Sequence, residues 1–334
     1  MRSSLLYEII PYRLSNKHPA LGSTRGPYTA FSHRGTHFHG LEAIENIFIF
    51  GDSWTSTGFE ENGEQPSIAN PFGNPEYPGA TATNGPNWVG YLTAVQNITL
   101  VKTFNFAYGG STVDLELIHP DVPALRDLKY QINEQYLAYY VNAEPRPLDW
   151  SPENTLFIVW IGLNDIHNAN NETAKSFAKA FEEFAKDVDI LYQSGARNLL
   201  FLNIPPIDRS PLAPRMDLVR EWKQWVSEWN TNLTSLTTNF TETYPDATGV
   251  VFDTFEMFND MIDYPCTFEQ SCGFEDVNTF CNYYVFGAKE WNHKDPHCDK
   301  SIDKYLWMND LHPTTPVFNV TAQEIVRVMT SLGA

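Results

Sequence analysis

The chain has 334 residues, 42% hydrophobic and 14% aromatic, which suits one large folded domain or two small ones and excludes a disordered chain. Its formal net charge of −19 opposes a phosphate backbone, so no nucleic acid partner is expected. No apolar run reaches the length of a transmembrane helix, so no membrane partner is expected either.

Met1-Arg-Ser-Ser-Leu-Leu-Tyr-Glu-Ile-Ile-Pro11 is a poor signal peptide, because Glu8 interrupts its short apolar run. Residues 12–44 are polar, with Pro, Gly and the three histidines His33, His37 and His39. The segment 1–44 therefore reads as a loose leader or unstructured N-terminal extension, its histidines solvated rather than metal-bound. Residues 45–334 are expected to form a single domain.

Ile47 to Phe50 is a short apolar run that suits a buried strand. Gly51 ends it, where a chain leaving a parallel sheet needs a permissive backbone. Ser53 then falls just past the strand's carboxyl end, where open α/β sheets place ligands. A serine there is a nucleophile once a base takes its proton, or else a helix N-cap. This stretch alone leaves both readings open.

Residues 60–87, rich in Pro, Gly and Asn, form a long irregular loop of the kind that is usually functional. Trp88 to Val95 reads as a short helix. Thr99 to Ala107 reads as a second strand, ending in Tyr108-Gly109-Gly110-Ser111, and Leu125 to Val141 has helical spacing. Thr155 to Ile161 is the clearest strand, apolar on both faces as a central parallel strand should be, and runs into Gly162-Leu163-Asn164-Asp165.

In the helix expected over Thr173 to Ser194, Phe177, Phe181, Phe184, Val188 and Leu191 fall at steps of three and four, the pattern of core packing. Gly195 stops this helix. Asn198 to Asn203 is the next strand, followed by a loop forced by Pro205-Pro206. Leu218 to Phe240 is a long helix carrying Trp222, Trp225 and Trp229 on one stripe, again core. Gly249 to Asp253 is a fifth strand, Phe255 to Ile262 a helix, and Val320 to Leu332 a closing helix. Strand–helix alternation repeated about five times implies an α/β fold, a three-layer α/β/α sandwich around a mainly parallel five-stranded sheet.

The cysteines Cys266, Cys272, Cys281 and Cys298 all fall in an excursion over 264–304. Their even number and clustering suggest two disulfides, with three pairings possible. Cys266–Cys272 with Cys281–Cys298 is preferred, because nearest neighbours close the shortest loops. A structural zinc site is weaker, since no C-x-x-C pair is present. His293 and His297 have i, i+4 spacing, but Pro296 spoils a helix there, so no metal site is expected. Sequons at Asn97, Asn171, Asn232, Asn239 and Asn319 favour the secretory route and an extracellular location.

Three strand ends thus present polar groups: Ser53, Gly109-Gly110 and Asn164-Asp165. In a parallel sheet all three lie at one edge. A fourth group arrives late, in Trp307-Met308-Asn309-Asp310-Leu311-His312-Pro313. Acyl transfer needs this inventory: a serine to attack, a histidine to take its proton and return it, and donors for the oxyanion, each worth roughly 3 kcal/mol of barrier. Gly110 can offer a backbone N–H and Asn164 a side-chain N–H. Asp165 reads as a helix cap and Asp52 as support for the turn. The nucleophile elbow G-x-S-x-G is absent, because Gly109-Gly110-Ser111-Thr112-Val113 lacks the last glycine.

The pattern resembles the GDSL, or SGNH, hydrolases. The matching motifs are Phe-Gly-Asp-Ser (50–53), Asn-Phe-Ala-Tyr-Gly-Gly (105–110), Gly-Leu-Asn-Asp (162–165) and Leu-His-Pro-Thr (311–314), in order over about residues 46–332. Finer features, Gly-Asp-Ser-Trp-Thr-Ser-Thr-Gly-Phe (51–59), Asn-Gly-Pro-Asn-Trp-Val (84–89), Phe-Ala-Tyr-Gly-Gly-Ser-Thr-Val-Asp (106–114) and Asp-Lys-Tyr-Leu-Trp (303–307), look like fungal secreted carbohydrate esterases of family 16.

The resemblance implies an SGNH hydrolase-like, flavodoxin-like fold, with Ser53 as nucleophile and His312 as base. It implies an oxyanion hole made of the Ser53 and Gly110 backbone N–H groups and Asn164. The enzyme implied is a cofactor-free serine esterase; no metal is expected, and a monomer is. It would remove acetyl or short acyl groups through a covalent acyl-enzyme, from small-molecule or oligosaccharide esters. If the finer match holds, the substrates are plant cell-wall glycans. The loop 60–87 and the cysteine segment are expected to wall the pocket.

One position departs from the family. Aspartate is usual three residues before the histidine, where this chain has Asn309; Asp310 follows. Either Asn309 orients His312 through its amide oxygen, or Asp310 turns in to replace it, or Asp310 is a solvated loop residue. Two other functions stay open: a catalytically weak relative that binds a glycan or a partner surface, and a lipase-like esterase of longer acyl chains.

Overall fold

The computed structural model describes residues 26–120, 126–145, 148–169, 177–285, 287–288 and 290–333. Its six strands are β1 (Thr29–His33), β2 (Asn46–Gly51), β3 (Lys102–Asn105), β4 (Thr155–Trp160), β5 (Asn198–Leu202) and β6 (Thr248–Phe252). They form one sheet in the order β1-β6-β5-β4-β2-β3. Strands β2 to β6 pair in parallel. Their apolar residues are buried at every position in β2, β4, β5 and β6, as in strands covered on both faces.

The helices are α1 (Trp88–Ala94), α2 (Leu128–Tyr130), α3 (Leu163–His167), α4 (Phe177–Ser194), α5 (Leu212–Met216), α6 (Val219–Thr243), α7 (Thr254–Asp263) and α8 (Thr315–Gly333). The amphipathic stripe on α4 meets the tryptophan stripe of α6: Phe177 and Phe181 lie 5.4 and 4.8 Å from the Trp229 ring. Trp222, Trp225 and Trp229 are all buried. Elsewhere α1 packs on α8. Phe258 of α7 and Phe318 of α8 both meet Trp54.

Counting only the parallel strands, the spatial order is 2-1-3-4-5, the flavodoxin-like arrangement. The order reverses between β2 and β4. A crevice opens at such a switch point beyond the strands' carboxyl ends. The two loops that leave β2 and β4 there carry Ser53 and Asn164.

Several expectations are corrected or refined. Residues 26–44 are not a loose leader: β1 pairs antiparallel with β6 as a sixth strand, Thr29 opposite Phe252 and His33 opposite Gly249. Just before it, Tyr28 donates its hydroxyl proton to Asp260 at 2.7 Å. His37 is tied to Glu153 at 2.8 Å, and the ring of His33 lies 3.1 Å from the Pro245 carbonyl. Residues 1–25 lie outside the described residues, as does the sequon at Asn171. The helix expected over 125–141 begins as α2 and continues as a π-helix over Gln131–Val141.

The cysteine excursion is bridged Cys266–Cys272 and Cys281–Cys298. It carries a small core of its own, in which Tyr284, Cys298, Ile302, Tyr305 and Met308 are buried together. Met308 of this small core directly precedes Asn309 in the chain.

Candidate active site

Strand β2 delivers Ser53 through a tightly held turn. The Gln131 carboxamide spans Gly51, accepting its N–H and donating to its carbonyl, each at 2.9 Å. A Cβ on Gly51 would come within 2.5 Å of the Trp160 carbonyl oxygen, so only glycine lets β2 lie this close to β4 there. The Asp52 carboxylate accepts from the Trp54 N–H at 2.9 Å and its carbonyl from Thr55 and Ser56, which makes it the turn support the sequence suggested.

The turn after β3 passes beside this serine: a Cβ built on Gly109 would sit 3.9 Å from the Ser53 Cβ. Gly110 follows with φ 83°, in the left-handed region that favours glycine. The turn after β4 is equally constrained. Gly162 has φ 120°, and any side chain on it would strike the Trp229 indole. That turn brings in Asn164, buried, whose Nδ2 donates one proton to the Ser111 carbonyl at 2.9 Å. A primary amide has two N–H donors, so the second is left to point elsewhere.

Asp165 lies in the first turn of α3, whose N-cap is Gly162. Its Oδ1 accepts from the Val113 N–H at 3.2 Å, bracing the strand-β3 turn against the strand-β4 turn. Its Oδ2 is buried with no partner among the described residues. Burial pushes this carboxyl up to about 8 and that of Asp52 up to about 7.

The late loop brings the histidine across. His312 Nε2 lies 2.9 Å from Ser53 Oγ. Asn309 Oδ1 accepts the backbone N–H of Leu311 at 2.9 Å and of His312 at 2.7 Å. Those two donors decide which end of the amide faces inward. The same oxygen lies 3.2 Å from His312 Nδ1. An oxygen there makes Nδ1 the protonated nitrogen, and Nε2 presents its lone pair to the serine. Burial holds the imidazole down to about 4, against the opposing pull of the Asp310 charge; His167 adds to the lowering.

Asp310 does not turn in. Its Oδ2 receives Arg215 Nη1 at 2.6 Å, and its carbonyl accepts the Leu212 N–H. The pair therefore anchors the loop to α5 instead of aligning the ring. Of the sequence candidates, Ser53, His312 and Asn309 meet directly; Gly110 and Asn164 lie on the two neighbouring turns.

The walls expected from the two long loops are also joined here. Thr83 donates to the Pro313 carbonyl at 3.0 Å, and Asn84 bonds to Ala288 and Glu290 of the excursion.

Three participants escaped the sequence reading. His167, on the same turn as Asn164, acts on His312 and packs its ring edge-on to Trp222 at 5.8 Å. Its i, i+3 spacing from Asn164 was the available signal. Gln131 and Arg215 left none, because both act across distant parts of the chain.

The family model described as GDSL-like lipase/acylhydrolase matches residues 47–316. An acetylesterase of Thermothelomyces thermophilus is 31% identical over 284 residues, spanning 84% of this chain and 86% of that protein. A thermolabile hemolysin of Vibrio parahaemolyticus is 24% identical, over 87% of this chain and 65% of its own length. Among solved structures, an acetyl xylan esterase of Geobacillus stearothermophilus aligns with a TM-score of 0.44 at 14% identity, over 86% of this chain and 96% of that one.

Proposed function

This chain belongs to the GDSL-like lipase/acylhydrolase family and is a carboxylic ester hydrolase, and from that premise we propose that Ser53, His312 and Asn309 carry its chemistry. The observation that supports this most is the 2.9 Å approach of His312 Nε2 to Ser53 Oγ.

Ser53 Oγ attacks the ester carbonyl carbon while its proton passes to Nε2. The tetrahedral oxyanion is received by the Ser53 and Gly110 backbone N–H groups and by the free N–H of Asn164. Imidazolium then gives the proton to the departing alcohol, leaving an acyl-serine. Water, deprotonated by His312, attacks that acyl group and releases the acid and the serine. Asn309 fixes the ring and its tautomer through a neutral oxygen; it supplies orientation without charge.

The acyl group is acetyl or another short chain, and the alcohol is a sugar of a plant cell-wall glycan. The name of the Thermothelomyces relative supports the first part. An extracellular, monomeric enzyme fits this use, and the paired cysteines support the location.

The uncharged Asn309 is the one observation that favours a catalytically weak binding relative instead. Acetylated xylo-oligosaccharides run against longer-chain esters, with Ser53→Ala beside the wild type, test the reading. Turnover of the acetylated sugars, abolished in the variant, is the expected result. No turnover of any ester that Ser53→Ala removes would refute the assignment; preference for long chains would move the substrate to lipids.

A further inference from the structure

Of the nine tryptophans, eight are buried or half-buried and one, Trp291, is 58% exposed. An indole left largely in water forgoes the burial that stabilises the other eight. Among the described residues no ring stacks on it. Tyr283, on the same loop, is also exposed, but one face of its ring is already covered by His297 at 4.5 Å.

The exposure is not that of a frayed loop. Trp291 lies within the loop closed by Cys281–Cys298. The Tyr284 hydroxyl ties that loop together from inside, accepting the Asp295 N–H at 3.0 Å and donating to the Lys300 carbonyl at 2.8 Å. Its chain neighbours Glu290 and Asn292 are exposed and polar.

This platform is joined to the active site by two routes. One is the small core, whose Met308 leads directly into Asn309. The other is Asn84, whose Oδ1 accepts the Ala288 N–H at 2.7 Å and whose Nδ2 donates to the Glu290 carbonyl at 3.0 Å. The adjoining Thr83 holds Pro313, next to His312. Following that second route, the Cα atoms of His312 and Trp291 are at most about 28 Å apart, given the 3.8 Å step along a chain and the reach of the two hydrogen-bonded side chains.

We infer that Trp291 is the stacking face of a subsite for a neutral oligosaccharide, engaging a sugar ring remote from the ester held at Ser53. A pyranose face presents C–H groups to the electron-rich face of an indole, the contact such an isolated ring makes best. The net charge of −19 turns away anionic glycans. This rests on the glycan-ester reading of the active site.

The test compares wild type, Trp291→Ala and Trp291→Phe on acetylated xylohexaose and on 4-nitrophenyl acetate, with calorimetric binding of unacetylated xylohexaose. Trp291→Ala should raise KM for the acetylated hexaose about fivefold or more, weaken xylohexaose binding alike, and leave kcat/KM for 4-nitrophenyl acetate within about twofold; Phe should restore much of the loss. Turnover of the acetylated hexaose with unchanged KM in Trp291→Ala overturns the subsite while sparing the glycan-ester reading. Hydrolysis of 4-nitrophenyl acetate alone, with no acetylated sugar turned over, sinks the glycan-ester reading. In that case the subsite stands only if wild type binds xylohexaose and Trp291→Ala does not; no binding by wild type overturns it.

Discussion

The carboxamide oxygen of Asn309 collects three N–H groups from one turn: those of Leu311 and His312 and, at 3.2 Å, the Nδ1 of His312. The backbone pair holds the oxygen in place, and the oxygen holds the ring. A carboxylate in the same position would do the same and add a negative charge.

Replacing Asn309 separates those two contributions. Asn309→Ala removes orientation and should lower kcat about 100-fold or more, whereas Asn309→Asp restores the charge and should raise kcat about tenfold, a fraction of the roughly 10⁴ associated with that carboxylate in serine proteases. Steady-state kinetics on 4-nitrophenyl acetate, with circular dichroism to check folding, reads both. An unchanged kcat in both variants would remove Asn309 from the mechanism. Asp310→Ala should change kcat less than Asn309→Ala, since its carboxylate is engaged by Arg215.

The pH profile follows from His312. Its neutral form is the base, and burial holds it down to about 4. The acid limb of kcat/KM should therefore fall near pH 4, with activity kept through pH 6. An aspartate at 309 favours imidazolium, so Asn309→Asp should move that limb to higher pH by a unit or so. A limb of the wild type near pH 6.5 would contradict the burial argument.

Stability should run the other way with pH. The carboxyls of Asp52 and Asp165 are pushed up to about 7 and about 8 in the fold, from an ordinary 3.8. Between pH 4 and 8 the folded chain thus holds protons that the unfolded chain has lost, and stability declines as pH rises through that window. The bridged carboxylates Asp246 and Asp263, held low, act in the opposite sense below about pH 4, and His312, held down to about 4, does so between about pH 4 and 6.5, where it offsets only part of the effect of the two raised carboxyls. Thermal melts should give a higher Tm at pH 5 than at pH 8, and Asp165→Asn should narrow the gap. Equal Tm values would show that these carboxyls ionise without cost.

The two disulfides should differ in what they protect. Cys281–Cys298 closes the loop whose core includes Met308, next to Asn309. Cys281→Ser with Cys298→Ser should cost about 3 kcal/mol by loop entropy and also lower kcat several-fold by loosening the His312 loop. The Cys266–Cys272 pair, closing a short loop at the end of α7, should leave kcat within about twofold when removed, the shorter loop carrying less entropy. Identical kcat in both double variants would disconnect the small core from the chemistry.

The site was readable in outline because strand–helix alternation forces a parallel sheet, and a parallel sheet sends every strand's carboxyl end to one edge. Ser53, Gly110 and Asn164 needed no other argument to be neighbours. The choice between Asn309 and Asp310 was not readable. It turns on which side chain the backbone of 309–312 folds around and on Arg215, nearly a hundred positions earlier in the chain. Tyr283 and Tyr284 make the same point: identical side chains, one exposed and one the centre of a small core. Strand β1 escaped because Thr29 to His33 has weak, half-buried alternation, and its partner is β6, far along the chain.

That strand has a practical reach. The family match begins at residue 47, and a protein trimmed to that boundary would lose β1 and bare the backbone donors and acceptors of β6. An uncovered strand of Val-Val-Phe character invites pairing between molecules, so such a trimmed protein is the one to expect in inclusion bodies.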